Sequence, residues 1–393
     1  MHAAPSVHDT LDADGLPPRE ARVLVAMSGG VDSSLAALLL RERGHDIIGV
    51  NMRTHRLTPE EVARGAAIKT CCSPVDAKDA RSCAERGDFP FYALDVEASF
   101  ERDVIDPFIR AYLGGRTPNP CVLCNNHVKL GLLLEKAALW GCEYVATGHY
   151  ARKVRQPETG RWTLQIPHDR RKDQTYYLYG LTQQQLARLV LPLGEMTKDE
   201  VRARAREGAL PTADKPESQE ICFIPSNDYR AFLRERFAAQ GLAMPRGQIV
   251  TTRGEVLGEH EGLPFYTVGQ RRGLGLSGGE PLYVVALDPA LNVVVVGSRE
   301  EALFPGLEAD GLNWMGLAGL EEPVRARIRI RHRHEPAWGV VEPTGDADLV
   351  RARFDEPQPA VAPGQAVVFY DGEDRVLGGG WIKSALRGAP APR

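Results

Sequence analysis

The chain has 393 residues, 43% apolar and 25% charged, with seven cysteines and a formal net charge of −4. That length supports two or three domains, and the mildly acidic balance excludes a globally basic nucleic-acid binder while leaving room for a local basic patch. A run of about 18 apolar residues is missing, so no membrane span is expected. An odd number of cysteines spread along a long chain argues for reactive or metal-binding thiols rather than a disulfide scaffold.

Residues 1–20 lack the basic start and apolar centre of a secretory signal. They read as a disordered tail on a cytoplasmic protein, and nothing in the pattern suggests self-association, so a monomer is expected. From position 22 short β-rich runs alternate with amphipathic stretches. The pattern predicts strands at 22–27, 46–52 and 143–147, and helices at 34–43, 99–113 and 128–140. Leu35, Leu38 and Leu39 fall at helical spacing, and Gly44 supplies a C-terminal stop. Such alternation implies parallel strands joined by right-handed crossovers, a doubly wound α/β layer. Thr197 and Glu200 have capping-box spacing and open a further helix that stops near Gly208. After about Ile224 a short helix at 228–239 gives way to turn-rich β sequence at 282–287, 293–296, 324–333 and 366–370. The expected organisation is an α/β domain over 21–225, a small central domain over 226–298, a C-terminal β-barrel over 299–386, and a tail at 387–393.

At the first strand–helix junction stands Ser28-Gly29-Gly30-Val31-Asp32-Ser33. Two glycines let the backbone approach an anion closely, and the serines offer hydroxyl donors. Free amides at the helix start point at the anion with the macrodipole behind them. A turn that merely joins strand to helix would not need this whole string. The loop is neither a Walker-type nor a dinucleotide-type phosphate loop. It resembles the pyrophosphate loop of the N-type ATP pyrophosphatases, which implies cleavage of ATP between the α and β phosphates and adenylation of an oxygen. Asp32 could position Mg2+ or cap the helix, and capping is the simpler reading.

Cys121 and Cys124 lie in the proline-braced segment Thr117-Pro118-Asn119-Pro120-Cys121-Val122-Leu123-Cys124, just before a predicted helix whose N-terminus favours the thiolate form. Cys222 lies far along the chain, at the edge of the α/β portion. A structural zinc site would need a second ligand pair, and the sequence has no other C-x-x-C. Cys71, Cys72 and Cys83 read as packing residues or idle thiols beside an insert, and Cys142 as core.

Six strings then occur in order: SGGVDSS at 28–34, TPNPCVLCN at 117–125, ATGHYAR at Ala146–Arg152, KDQTYYL at 172–178, SQEICFI at 218–224 and GQRRGLG at 269–275. Over about 22–385 the set resembles the tRNA-specific 2-thiouridylase family (MnmA/TrmU), in its cysteine-rich subgroup. The resemblance implies that ATP adenylates the C2 oxygen of the wobble uridine, position 34, in glutamate, glutamine and lysine tRNAs. Sulfur from a donor or relay protein then replaces that oxygen. It implies that Cys222 carries a persulfide and that Cys124 resolves it. Many relatives carry Asp where this chain has Cys121, so the proton-transfer role of that carboxylate does not carry over. Cys121, Cys124 and Cys222 satisfy instead the ligand count of a [4Fe–4S] cluster with one open iron, and persulfide relay and cluster-bound sulfide both remain open at this point. Thr175 stands where relatives often have Ser.

The same resemblance implies an ATP site formed by Ala26, Met27, Ser28, Gly29, Gly30, Val31, Asp32, Ser33, Met52 and Gly148. It implies tRNA contacts at Asn119, Pro120 and Cys121, at His149, at Lys172, Asp173 and Gln174, and at Arg331, His332 and Gln365. One feature is readable without any family. Arg325, Arg327, Arg329, Arg331 and Arg333 alternate with Val324, Ala326, Ile328, Ile330 and His332, which on a single strand would put five guanidinium groups on one face. Such a ribbon suits contacts along an RNA backbone.

Overall fold

A computed structural model describes residues 15–54, 74–217, 221–224, 228–242, 244–276 and 280–387. Cys71, Cys72, most of the expected N-terminal tail, Ser218–Glu220 of the SQEICFI string and the last six residues lie outside the described residues. Contacts divide the chain into two units, the first made of Met1–Val104, Cys121–Asn227 and Glu373–Val376, the second of Ile105–Pro120, Asp228–Gly372 and Leu377–Arg393.

The first unit is the doubly wound α/β layer. Its strands are β1 (Arg22–Ala26), β2 (Asp46–Arg53), β3 (Phe91–Asp95) and β4 (Tyr144–Ala146), then a small antiparallel pair β5 (Arg152–Arg155) and β6 (Trp162–Gln165), and β7 (Leu189–Val190). The main sheet runs β3-β2-β1-β4-β7 with every pairing parallel. Val23, Leu24 and Val25 of the central strand are fully buried, which is why β1 reads as a continuous apolar run rather than an alternating one. From β1 the chain winds outward through β2 and β3, then returns to place β4 on the other side of β1. That reversal is the switch point at which parallel α/β sheets open a crevice at their carboxyl ends.

The helix after β1 spans Val31–Glu42, three residues earlier than its apolar spacing predicts. Leu35 and Leu40 fill the core, Leu38 and Leu39 pack at its margin, and Gly44 ends the helix at φ +89°. The expected capping box is present: Thr197 N–H donates to Glu200 Oε2 at 2.7 Å and Glu200 N–H returns to Thr197 Oγ1 at 3.3 Å. Reciprocal caps of this kind stabilise a helix by about 1 kcal/mol. One expectation is corrected. The two cysteines do not precede a helix beginning near 128; they form its opening turns. Pro120–Leu123 is helical, Cys124–Leu132 continues as a π-type stretch, and Leu133–Leu139 completes the run. Proline suits a first helical position because its missing N–H would have no partner there.

The second unit holds a four-stranded sheet and a closed barrel. The sheet orders β8 (Gly247–Thr251), β9 (Val256–His260), β10 (Tyr283–Asp288) and β11 (Val293–Gly297) as β10-β11-β8-β9. The barrel is formed by β12 (Leu303–Trp314), β13 (Val324–Arg329), β14 (Ala337–Pro343), β15 (Leu349–Pro359), β16 (Ala366–Tyr370) and β17 (Val376–Leu386), closed in the order β12-β15-β14-β13-β16-β17. Leu307, Ala326, Ile328, Val367 and Phe369 are among its fully buried lining. The segment Ile105–Pro120 belongs to this unit. Tyr112 stacks on Tyr229 with ring centroids 5.6 Å apart, and Phe108 meets Phe232 edge-on at 6.2 Å. No helix among the described residues is long and apolar enough to cross a membrane.

The arginine ribbon is shorter than predicted. β13 ends at Arg329, and Arg331–His334 form a turn closed by His334 N–H to the Arg331 carbonyl at 3.0 Å. The hairpin to β14 forces this, because Ile328 already pairs with Ala337 and Pro336 has no N–H to extend the ladder. Within β13 the predicted alternation holds: Ala326 and Ile328 are fully buried, and Arg325 is exposed.

Candidate nucleotide cleft and thiol segments

The loop after β1 and the segment after β4 face each other across a cleft of about 310 Å³ in the first unit. Ala26, Met27, Ser28, Gly30, Val31, Asp32, Ser33, Met52 and Gly148 all line it. Two glycines are required by sterics. Gly29 sits at φ +76°, and a Cβ there would lie 2.1 Å from the Asp76 carbonyl oxygen. A Cβ on Gly148 would fall 2.6 Å from Ser33 N and 2.7 Å from Asp32 C, so only glycine lets β4's outgoing chain lie against the helix start. Ser33 Oγ accepts from Ser28 N–H at 3.1 Å and donates to the Gly30 carbonyl at 3.2 Å, which closes the loop on itself. From β2, Asn51 donates to the Met27 carbonyl at 2.8 Å and fixes the strand end beside it. Met52 follows, 8% exposed, at the cleft wall.

Asp32 does not cap its helix. Its carboxylate accepts from Lys198 Nζ at 2.7 and 2.8 Å and from the Tyr150 hydroxyl at 2.8 Å. Lys198 is 6% exposed and also meets Glu217 at 3.0 Å, while Glu217 binds Lys172 at 2.7 Å. Burial tends to raise the Glu217 carboxyl, but the two lysine hydrogen bonds outweigh it and hold the group below its ordinary range. Burial, with the Asp32 charge added, pushes the Tyr150 phenol well above its ordinary value, so it stays a donor. Lys215 closes the far side of the cleft against Asp76 at 2.6 Å and Asp79 at 2.5 Å. The result is a pocket lined by four lysines, of which Lys172, Lys198 and Lys215 are held by carboxylates that an incoming polyphosphate can displace.

Lys198, Glu217 and Lys215 were not legible as site residues in the sequence, whereas Tyr150, at a strand end, was expected to face a ligand. One signal was available for Lys198. It is the first residue of its helix, where a cation opposes the macrodipole, and such a local misfit marks a residue kept for another purpose.

The segments expected to meet tRNA have distinct environments. His149 lines the cleft with Nδ1 2.8 Å from Thr147 Oγ1, and burial followed by the Lys129 charge pushes its pKa down to about 3, so the ring is neutral at physiological pH. Asp173 is 3% exposed and its Oδ1 accepts from both the N–H and the hydroxyl of Thr175, at 2.9 and 2.7 Å. The hydroxyl common to Thr and Ser is therefore used at position 175. Gln174 accepts from Tyr150 N–H at 2.8 Å and donates its own N–H to the Tyr150 carbonyl at 3.0 Å, pinning the residue that holds Asp32. In the second unit, Arg331 donates to the Pro359 carbonyl at 3.3 Å, and Arg329 donates to the His332 carbonyl. Gln365 spends its side-chain amide on the carbonyls of Thr117 and Pro118. Asn119 is 8% exposed.

Cys121, Cys124 and Cys222 are thiols of partial exposure outside any disulfide, whereas Cys83 and Cys142 are buried. Burial raises the Cys142 thiol to about 11, which fits a core residue. Among the described residues no three His, Cys, Asp or Glu side chains come together as a group that could hold a metal ion. Cys121, Cys124 and Cys222 are thus not grouped as cluster ligands in this structure.

A parallel α/β sheet with a glycine phosphate loop at its switch point, joined to a closed β-barrel, defines an ATP-using enzyme with appended β domains. Three family models match in succession: the tRNA methyl transferase HUP domain over 21–226, the tRNA methyl transferase PRC-barrel domain over 232–298, and the aminomethyltransferase beta-barrel domain over 305–382. The chain is 50% identical over 365 residues to the tRNA-specific 2-thiouridylase MnmA of Koribacter versatilis, covering 92% of this chain and 98% of that one. It is also 50% identical, over 368 residues and with the same two coverages, to the MnmA of Acidobacterium capsulatum. A third MnmA, of Carboxydothermus hydrogenoformans, is 50% identical over 365 residues, 93% of this chain and 98% of that one. The chain belongs to the tRNA-specific 2-thiouridylase family, MnmA, and is a tRNA-uridine 2-sulfurtransferase.

Proposed function

We propose that the cleft binds ATP as its magnesium complex and that the uridine C2 oxygen attacks the α-phosphate there, forming an O-adenylate and releasing pyrophosphate. The adenylate is needed because a urea-like carbonyl is a poor electrophile and its oxygen must first become a leaving group. Gly29, Gly30 and the amides of the helix start cradle the phosphates, with Lys198 and Lys172 supplying charge as they leave their carboxylate partners. Met52 covers the base and Gly148 keeps the floor clear.

Sulfur arrives as a persulfide on Cys222, loaded by a separate donor or relay protein. The Cys124 thiolate attacks the Cys222 Sγ, the S–S bond of the persulfide breaks, and hydrosulfide leaves as a Cys124–Cys222 disulfide forms. Hydrosulfide adds at C2, the C2–O bond breaks, and AMP departs with its oxygen. An external dithiol restores both cysteines. The target is the wobble uridine of glutamate, glutamine and lysine tRNAs, met by Asn119, Pro120 and Cys121 and by the Arg331–His332 turn of the barrel. The chain works as a cytoplasmic monomer.

The observation that carries this reading is that one unit holds both the phosphate cleft and three partly exposed cysteine thiols. A single turnover with persulfide-loaded protein, ATP and tRNA tests it. Non-reducing peptide mapping should find the Cys124–Cys222 disulfide in step with one 2-thiouridine per enzyme. A brown protein after anaerobic purification, active only with its iron and forming no disulfide, contradicts the relay and returns the three cysteines to cluster ligation.

A further inference from the structure

The segment that leads into the two cysteines is held by the barrel through its backbone. The turn Pro363-Gly364-Gln365 enters β16 and is tied to β17 in both directions, Gly364 N–H to the Ile382 carbonyl and Ile382 N–H to the Gln365 carbonyl, each 2.8 Å. From this rigid edge the Gln365 side chain donates to the Thr117 carbonyl at 3.2 Å and the Pro118 carbonyl at 3.1 Å. One primary amide has two hydrogens, so a single residue can serve both acceptors. A third bond runs the other way, Thr117 N–H to the Pro363 carbonyl at 2.8 Å. Gly364 makes the approach close enough. It sits at φ +89°, and a Cβ there would come within 2.8 Å of Arg116 Cβ and 3.1 Å of Thr117 N. Pro118 has no N–H to offer, so the Gln365 bond to its carbonyl is its main-chain tie to the turn.

We propose that Gln365 is a positioning residue: it fixes the backbone of Thr117 and Pro118, three residues before Cys121, and so sets the conformation from which Asn119, Pro120 and Cys121 meet the target base. The proposal rests on the reading that this segment faces the uridine. It assigns Gln365 a role through the loop, because both amide hydrogens are directed at protein carbonyls. The clamp joins the barrel to the 117–118 backbone by three hydrogen bonds, and loosening it costs reaction geometry before it costs binding.

Gln365→Met keeps the stem and removes both donors, and Gln365→Glu replaces them with acceptors that repel the two carbonyls. Both variants should show at least tenfold faster amide exchange confined to the peptide covering 116–123, with kcat for thiolation about tenfold lower and KM for tRNA within twofold of the parent. Unchanged exchange at 116–123 overturns the proposal, as does a tenfold rise in KM at constant kcat, the signature of a lost tRNA contact. Exchange that rises equally across β16 and β17 also overturns it, because the residue would then merely stabilise the barrel. The exchange is read without ATP or tRNA, so it decides the clamp even where Cys124→Ser stays active and the sulfur relay itself fails.

Discussion

Lys198 concentrates the residue-scale argument. Its ammonium bonds both oxygens of Asp32, from the phosphate loop, and reaches Glu217 from a segment that runs toward Cys222. With the lysine removed, Asp32 loses its countercharge and Glu217 keeps only Lys172, so the added negative charge at the phosphate site repels ATP. Lys198→Met should weaken ATP binding by about 30- to 100-fold, corresponding to roughly 2–3 kcal/mol of charge-assisted hydrogen bonding. Calorimetric titration with ATP checks this, and binding within threefold of the parent removes Lys198 from the site. The phosphate loop itself was legible because its chemistry is local: glycines, hydroxyls and a helix start are adjacent in sequence. The Asp32–Lys198 pair spans 166 positions, and Asp32 was read as a cap because nothing nearby in sequence supplies its real partner.

At the scale of elements, the patterns that depend on near neighbours were readable. The buried run of β1, the Thr197–Glu200 box and the alternation in β13 all follow from 2.0- or 3.6-residue periods or from i, i+3 chemistry. Elements set by partners across the fold were less so. The helix bearing Cys121 and Cys124 starts about eight residues before its apolar spacing does, because its first turn is too short to show a period: Pro120 and Val122 are buried, whereas Cys121 and Leu123 are half-buried. The arginine ribbon read from one strand is partly neutralised by its neighbours, with Arg325 bonded to Asp355 of β15 and Arg327 3.4 Å from Glu335. Arg325 also lies over the Trp338 ring at 5.2 Å. The groups best placed to meet phosphate are accordingly those of the turn after β13, where Arg333 is exposed and Arg331 donates to a single carbonyl. Arg331→Glu with Arg333→Glu should weaken tRNA binding roughly tenfold and lower the salt slope by about 2, leaving ATP affinity intact. Filter binding across a salt series reads both, and an unchanged slope removes this turn from the tRNA interface.

At the scale of the whole molecule, the chain crosses between its units more than once. Ile105–Pro120 leaves the α/β unit to pack with the second, and Glu373–Val376 returns from the barrel to the first. Strand–helix alternation followed by β-rich sequence indicated an α/β domain succeeded by a barrel, and the structure has both. The crossings were not legible, since they depend on contacts such as Tyr112 with Tyr229 and Gln365 with Thr117, more than 100 positions apart. If ATP cleavage and sulfur transfer to tRNA uridine are steps of one reaction carried by this chain, AMP and 2-thiouridine counted in the same single-turnover sample should appear in equal amounts for the parent protein, with no 2-thiouridine from Cys222→Ser. Formation of 2-thiouridine without AMP, or in full yield by Cys222→Ser, would show that the two steps are not coupled in this way.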